Sequence, residues 1–279
     1  AQERCGTTAI TEKMMLENPE YANARSKVNQ QTEKWIENHP NHSEKTIITI
    51  PVVVHVLYSN NNQNISDAQI LSQIDVLNED FRRTNVDAIN TPSIWQSIAA
   101  DSEIEFCMAS TDPNGQPTDG IDRVQTTHGA FGMNSDVHST SAGGADDWPN
   151  DDYLNIWVCN IEPGLLGYAT PPSSWTGDGD GLVIGYQYFG RIGTVQSPYN
   201  KGRTATHEIG HWLNLDHVWG GGWSSCGDDN VSDTPTQEQE NYSCPGYPHN
   251  PNSCSTTNPD GDMFMNYMDY TNDACMNLF

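Results

Sequence analysis

The run Thr206-His207-Glu208-Ile209-Gly210-His211-Trp212-Leu213-Asn214-Leu215-Asp216-His217 constrains the fold more than any other stretch of the chain. His207 and His211 are four residues apart, so on a helix they stack one turn above the other and can share one metal ion. Glu208 follows the first histidine, next to the metal position but not needed as a ligand, which leaves it free to act as a base. His217 lies six residues past His211, too far along for the same helical face, so the helix must end and the chain turn back sharply. That turn calls for positive φ, and Asn214 sits where it is needed; after glycine, asparagine tolerates the left-handed region best. A bare His-Glu-x-x-His arises by chance on amphipathic surface helices. A third histidine at this offset, with a turn-capable residue between, makes chance a poor explanation.

Charge narrows the partners. Lys and Arg number 12 against 37 Asp and Glu, a formal net charge of -25. Such a chain repels phosphate backbones and anionic membranes, which argues against nucleic acid or a lipid surface and suits calcium binding and extracellular solubility. The longest apolar candidate, Ile47 to Tyr58, falls short of a membrane span and is broken by Pro51 and His55. Residues 1–5 carry no apolar targeting core, so we expect any signal peptide to have been left behind. Seven cysteines suggest an oxidising compartment, and the odd count leaves at least one unpaired. From spacing alone Cys5, in Arg4-Cys5-Gly6, reads equally as a disulfide partner or a free terminal thiol.

Residues 1 to about 44 are polar and helical in pattern from Pro19 to Asn38, as if an appendage lay on something else. Thr46–Tyr58 is a β-branched run with the composition of a buried strand, and His55 within it reads as a packed sheet histidine. A helix follows: Ser66 and Gln69 form a capping-box pattern, Ile65 and Ile70 a hydrophobic staple, and Ile70, Ile74, Leu77 and Phe81 its buried face. Glu103–Ser110, Tyr153–Ile161 and Gly181–Phe189 read as further strands, the last at a sheet edge open to an extended peptide. Asp112–Asn150 shows little periodicity, and His128 and His138 within it read as surface residues. Strands alternating with two long helices indicate a mixed α/β arrangement.

After His217 the chain becomes glycine-rich, with cysteines at 226, 244, 254 and 275 and little regular structure. Cross-links there would substitute for a core, each contributing about 2 to 4 kcal/mol. Asp228, Asp229 and Asp233 could form a calcium cage, since hard cations take several oxygen ligands, or simply a solvated acidic turn.

Taken together, these motifs resemble the pappalysin family of the metzincin zinc endopeptidases, its bacterial members in particular. The resemblance is carried by the zinc motif at 207–217, the Met-turn Asn266-Tyr267-Met268-Asp269-Tyr270, and the stretches Leu77–Asn85, Tyr153–Val158, Gly167–Thr170 and Asp233-Thr234-Pro235. It covers the chain from about Thr46 onward. Asn214 departs from the family's glycine, and the family pattern leads us to expect a helix beyond the Met-turn, where this chain stops at Phe279.

The resemblance implies a twisted, mostly parallel five-stranded sheet with two long helices in an upper subdomain, 45–217. An irregular disulfide-linked lower subdomain, 218–279, would lie across an active-site cleft. His207, His211 and His217 would hold zinc, Glu208 would be general base and acid, Met268 a floor beneath the metal, and Tyr270 a neighbour that stabilises developing charge. Cys226 would pair with Cys254 and Cys244 with Cys275, leaving Cys107 and Cys159 as buried free thiols. The family's calcium sites favour a cage at Asp228, Asp229 and Asp233. Residues 1–44 would be an inhibitory pro-segment whose Cys5 caps zinc.

The implied function is a secreted zinc endopeptidase in latent form, a monomer acting on proteins or peptides and inhibited by its own pro-segment. Bacterial relatives favour Lys or Arg just after the scissile bond through an acid beyond the Met-turn. Asp273 is the nearest candidate, with Ala274 as the other occupant of that position. Self-cleavage is then expected before Lys45 or another basic residue of the pro-segment. Two other classes compete. One is a non-catalytic module whose structural zinc is closed by Cys5, which leaves Glu208 without a use; the other is a calcium-stabilised adhesive module, which leaves the histidines without one.

Overall fold

The computed structural model of the chain describes residues 4–39, 46–173, 179–220, 226–250, 254 and 260–279. The expected cut before Lys45 and the boundary at 44/45 lie outside them. Helices α1 (Thr7–Glu17) and α2 (Pro19–Asn38) come first, the second capped by the Asn18 side chain, which accepts from the Glu20 and Tyr21 amides. Strand β1 (Ile48–Tyr58) then enters the sheet, followed by α3 (Asp67–Phe81).

The start of α3 is set as its sequence predicts on one side only. The Ser66 hydroxyl accepts from the Gln69 amide at 3.2 Å. The Gln69 side chain does not turn back to complete the box; its amide donates to the carbonyls of Tyr186 and Phe189 and so ties the helix to a distant loop. Ile70, Ile74, Leu77 and Phe81 are all buried.

Strands β2 (Ile104–Met108), β3 (Ile121–Gln125), β4 (Leu154–Cys159), β5 (Gly167–Ala169) and β6 (Gly181–Gly185) complete one sheet. Its order is β2-β1-β4-β6-β5, with β3 also pairing β1, so the sheet has six strands rather than five. All pairings are parallel except β5 with β6. β3 continues the edge that β2 begins, facing the second half of β1. The strand expected at Gly181–Phe189 ends at Gly185, turns into a short 3-10 segment, and is interior; the edge is β5.

The main core lies between one sheet face and helices α3 and α4 (Arg203–Trp212), with Val52, Val54, Ile156, Ile184 and Ile209 at its centre. The other face packs Leu57, Trp157, Tyr168 and Val183 under the 131–145 loop. His55 is fully buried there, stacked on Trp157 and bonded to Asp122 and Asn155, the packed histidine the strand pattern suggests. His138 is a correction. Its ring stands edge-on to Trp157 at 4.3 Å, and burial pushes its pKa down to about 3. His128 is half-buried, stacked on Phe131 and bonded to the Ala142 carbonyl.

Past His217 the described chain is turns and bridges, stapled by Cys226–Cys254 and Cys244–Cys275 as the resemblance implies. Cys159 is buried, but Cys107 is exposed, because on edge strand β2 it is Phe106 that points to the core. Among the described residues no helix is long and apolar enough to cross a membrane.

Candidate metal centre

Helix α4 carries His207, Glu208 and His211 into the interior, each at most 4% exposed. Its N-terminus has no cap of its own; Asp273 supplies one from far along the chain, accepting from the amides of Lys201 at 2.8 Å and Arg203 at 3.3 Å. At the other end Asn214 adopts φ 77. Its amide bonds the His211 carbonyl and the Leu215 amide bonds that of Gly210, both at 2.9 Å. Those two bonds make a Schellman termination with asparagine in the left-handed position. The chain reverses there and returns His217 to the helix.

The outcome is a convergence of four ligand atoms. One atom each from Cys5, His207, His211 and His217 lies within 4.8 Å of all the others, and all four residues are buried. The Nδ1 atoms of His207 and His211 face the Tyr267 and Leu215 carbonyls at 2.7 Å, so each ring spends its N–H on the backbone and turns an Nε2 lone pair inward. His207 Nε2 is buried with no hydrogen-bond partner, and the Nε2 atoms of His211 and His217 stand 3.1 Å apart. Burial first, then the neighbouring imidazoles, hold His207 and His217 far below the ordinary range; burial lowers His211 to about 4. Neutral imidazoles aimed at one point, one of them otherwise orphaned, fit a zinc ion.

The Met-turn lies against them through the Tyr267 carbonyl and the Tyr270 ring. Met268 is 2% exposed, and its amide is fixed by the Asn266 side chain at 2.8 Å. The Tyr270 ring lies 5.0 Å from that of His217, and its hydroxyl donates to the Cys5 carbonyl at 3.4 Å. Trp219, which no motif singles out, stacks on His217 at 4.4 Å and nearly parallel. Glu208 Oε2 accepts from the Thr7 hydroxyl at 2.8 Å and the Cys5 thiol at 3.3 Å. Burial raises its pKa to about 7 against the opposing pull of those bonds.

The N-terminal segment reaches the site by adding to the sheet. The Leu166 amide bonds the Arg4 carbonyl and the Gly6 amide bonds the Gly167 carbonyl, each at 3.0 Å, in parallel register with β5. Gly6 permits the approach: a Cβ there would stand 2.6 Å from Met133 Sδ and 3.3 Å from Tyr168 Cβ. Arg4 is 6% exposed and pairs with fully buried Asp273 at 3.2 Å. Burial raises Asp273, with Arg4 pulling the other way. Ala274, the alternative occupant of that position, makes no such contact. A second cation, Arg203, 5% exposed, binds Asp80, Asp87 and the carbonyls of Asp273 and Met276, locking α3, α4 and the segment after the Met-turn together.

The three acids considered for calcium are not gathered. Among the described residues the four-ligand group above is the one cluster of three or more His, Cys, Asp or Glu ligand atoms. Asp228 and Asp229 instead close turns by accepting from the Asn230 and Val231 amides, and Asp233 is exposed.

Comparison with known proteins agrees with this geometry. The family model Peptidase_M43, described as pregnancy-associated plasma protein-A, matches residues 137–279. An extracellular metalloprotease of Arthroderma otae is 32% identical over 243 residues, covering 83% of this chain and 73% of that protein. Among solved structures, mature mirolysin of Tannerella forsythia in complex with a cleaved peptide is 54% identical, with a TM-score of 0.81, over 85% of this chain and 88% of that one. A promirolysin mutant from the same organism is 48% identical, with a TM-score of 0.85, over 99% of this chain and 89% of that one. A family model spanning half the chain, and relatives aligned over most of it, agree with the histidine cluster: the chain belongs to the pappalysin family of metzincin metalloendopeptidases.

Proposed function

We propose that this chain is the latent form of a secreted zinc endopeptidase, with residues 1–44 as pro-segment and Cys5 as the group that blocks the metal. One observation carries the reading: Cys5 Sγ shares a buried point with three neutral imidazoles and also bonds the carboxylate of Glu208. On their own, burial and then Glu208 push the Cys5 thiol well above its ordinary pKa. A divalent cation beside it reverses that preference and favours thiolate.

His207, His211 and His217 would hold zinc, which when bound would supply Lewis acidity at this point. Glu208 takes the proton of the attacking water and returns it to the leaving amine, a task suited to a carboxyl raised to about 7. In the latent chain both its donors, Thr7 and Cys5, come from the pro-segment, so the base and the metal position are engaged together. The Tyr270 hydroxyl, now on the Cys5 carbonyl, becomes free to stabilise negative charge on a substrate carbonyl.

The pairing of Arg4 with Asp273 supports a preference for Lys or Arg after the scissile bond. Arg4 adjoins the residue at the metal position, where a side chain flanking a scissile bond would lie. Two disulfides and the extracellular relatives support secretion. The extra coverage in promirolysin over mature mirolysin matches a pro-segment of this length.

The test compares the full chain with its Cys5→Ala variant on peptides containing Lys or Arg, with and without a zinc chelator, reading cut sites by mass spectrometry. Higher activity in the variant, abolished by the chelator, is expected. Equal latency in both chains would remove Cys5 from the reading.

A further inference from the structure

The pocket around Arg4 has a face as well as a charge. The guanidinium carbon lies 4.3 Å from the centroid of the Tyr199 ring. One terminal nitrogen bonds the Thr271 carbonyl and the other bonds Asp273 Oδ1. Asp273 is held in turn by the Lys201 and Arg203 amides, so its carboxylate cannot swing toward a shorter or differently shaped cation. Tyr199 is half-buried and anchored by its own amide, which bonds the Gln196 carbonyl at 3.0 Å.

We propose that Tyr199 is the residue by which this subsite selects arginine over lysine. The inference rests on the reading of Asp273 as the base of the pocket for the residue after the scissile bond. A guanidinium is planar and rigid: it can place one N–H on Thr271, another on Asp273 and its face on Tyr199 at the same time. An ammonium is a compact point charge. It satisfies Asp273, but has no plane to lay on the ring and keeps more of its hydration. The carboxylate therefore sets basic against neutral, and the aromatic face sets arginine against lysine. Stacking of this kind in a partly desolvated site amounts to about tenfold in a rate or binding constant.

The experiment uses the zinc-loaded full chain after self-processing. Peptides that differ only in Arg, Lys or norleucine after the scissile bond are compared by kcat/KM for the wild type, Tyr199→Leu and Tyr199→Phe. Tyr199→Leu is expected to lower kcat/KM for the Arg peptide about tenfold while the Lys peptide changes less than twofold; Tyr199→Phe keeps the ring and the preference. Product peptides beginning with Arg or Lys, titrated by calorimetry, should show the same loss without turnover. Equal losses on Arg and Lys, or an unchanged ratio, overturn the role of Tyr199. If the wild type handles norleucine as well as the basic residues, the fault lies instead with the reading of Asp273. Tyr199→Met serves as the second truncation should the leucine variant not fold.

Discussion

Gly210, inside the metal-binding helix, separates two physical effects of opposite sign. A helix-interior glycine is about 1 kcal/mol worse than alanine, so Gly210→Ala ought to stabilise α4 if propensity decided. Packing says otherwise. A Cβ at 210 would stand 2.3 Å from Met268 Sδ, 3.2 Å from its Cε and 3.3 Å from the Phe279 ring. Met268 is 2% exposed and Phe279 packs against Phe81 and Tyr267, both at 4.8 Å, so room for the methyl has to come from shifting these packed side chains toward the small cavity that Met268 and Phe279 both line. Overpacking of this kind costs about 1 to 3 kcal/mol, which set against the helix gain of about 1 kcal/mol leaves a net loss of up to about 2 kcal/mol. For a chain of this size that is a fall of up to about 4 °C in the apparent melting temperature. Because Met268 lies against the helix that carries His207 and His211, kcat/KM should fall with it. Thermal melts and peptide turnover of zinc-loaded Gly210→Ala, Met268→Ala and the double variant test this. The double variant should lose less than the sum of the singles, since removing the sulfur frees the space the new methyl needs. A Gly210→Ala chain that melts higher than wild type with full activity would refute the reasoning.

Two further outcomes follow from Arg25, which is half-buried, and Arg203, which is buried. Arg25 of α2 donates to the Pro172 carbonyl at 2.8 Å and to Asn214 Oδ1, and Asn214 Nδ2 reaches Asn29 at 3.3 Å, so the pro-segment grips the turn that ends the metal helix. Arg25→Met removes charge-assisted bonds of about 1.5 to 3 kcal/mol, and the lag in progress curves of self-activation should shorten about tenfold or more, with unchanged activity once processing is complete. An unaltered lag would show that α2 contributes nothing to latency. Arg203→Met strands two carboxylates. Burial raises Asp80 beyond what Arg203 offsets, whereas at Asp87 the Arg203 bonds outweigh burial and hold it low. A depressed carboxyl contributes stability above its unfolded pKa, about 3.9, and loses it as pH falls through the folded value. The deficit of the variant, about 3 to 5 kcal/mol, should therefore be full at pH 7 and shrink as pH drops below about 4. Melts at a series of pH values would contradict this if the deficit stayed constant.

The metal site was legible in the sequence because its logic is local. Three histidines and one turn residue sit within eleven positions, and helix periodicity plus one positive φ determine how they meet. Helix α3 was legible for the same reason, and the two disulfides only because the resemblance supplied their pairing. What the sequence hid is whatever depends on distant packing. Strand β3 is five residues, Ile-Asp-Arg-Val-Gln, with no periodicity of its own; it exists because β1 is long enough to pair with β2 and then with β3 on one edge. Trp219 and Thr7 join the site through folded contacts alone, and His138 looked like a surface residue because nothing in its neighbourhood announces that Trp157 will cover it. Arg4 and Asp273 are 269 positions apart, and the pairing needs three things at once: the pro-segment added to β5, the disulfide-stapled segment folded back beneath α4, and Asp273 already engaged at that helix's N-terminus. The same acid thus caps the metal helix and receives the arginine beside Cys5. On the proposed reading of Asp273, displacing the N-terminal segment removes one of its partners and leaves the Lys201 and Arg203 amides in place, so the carboxylate is expected to stay positioned for a basic substrate residue.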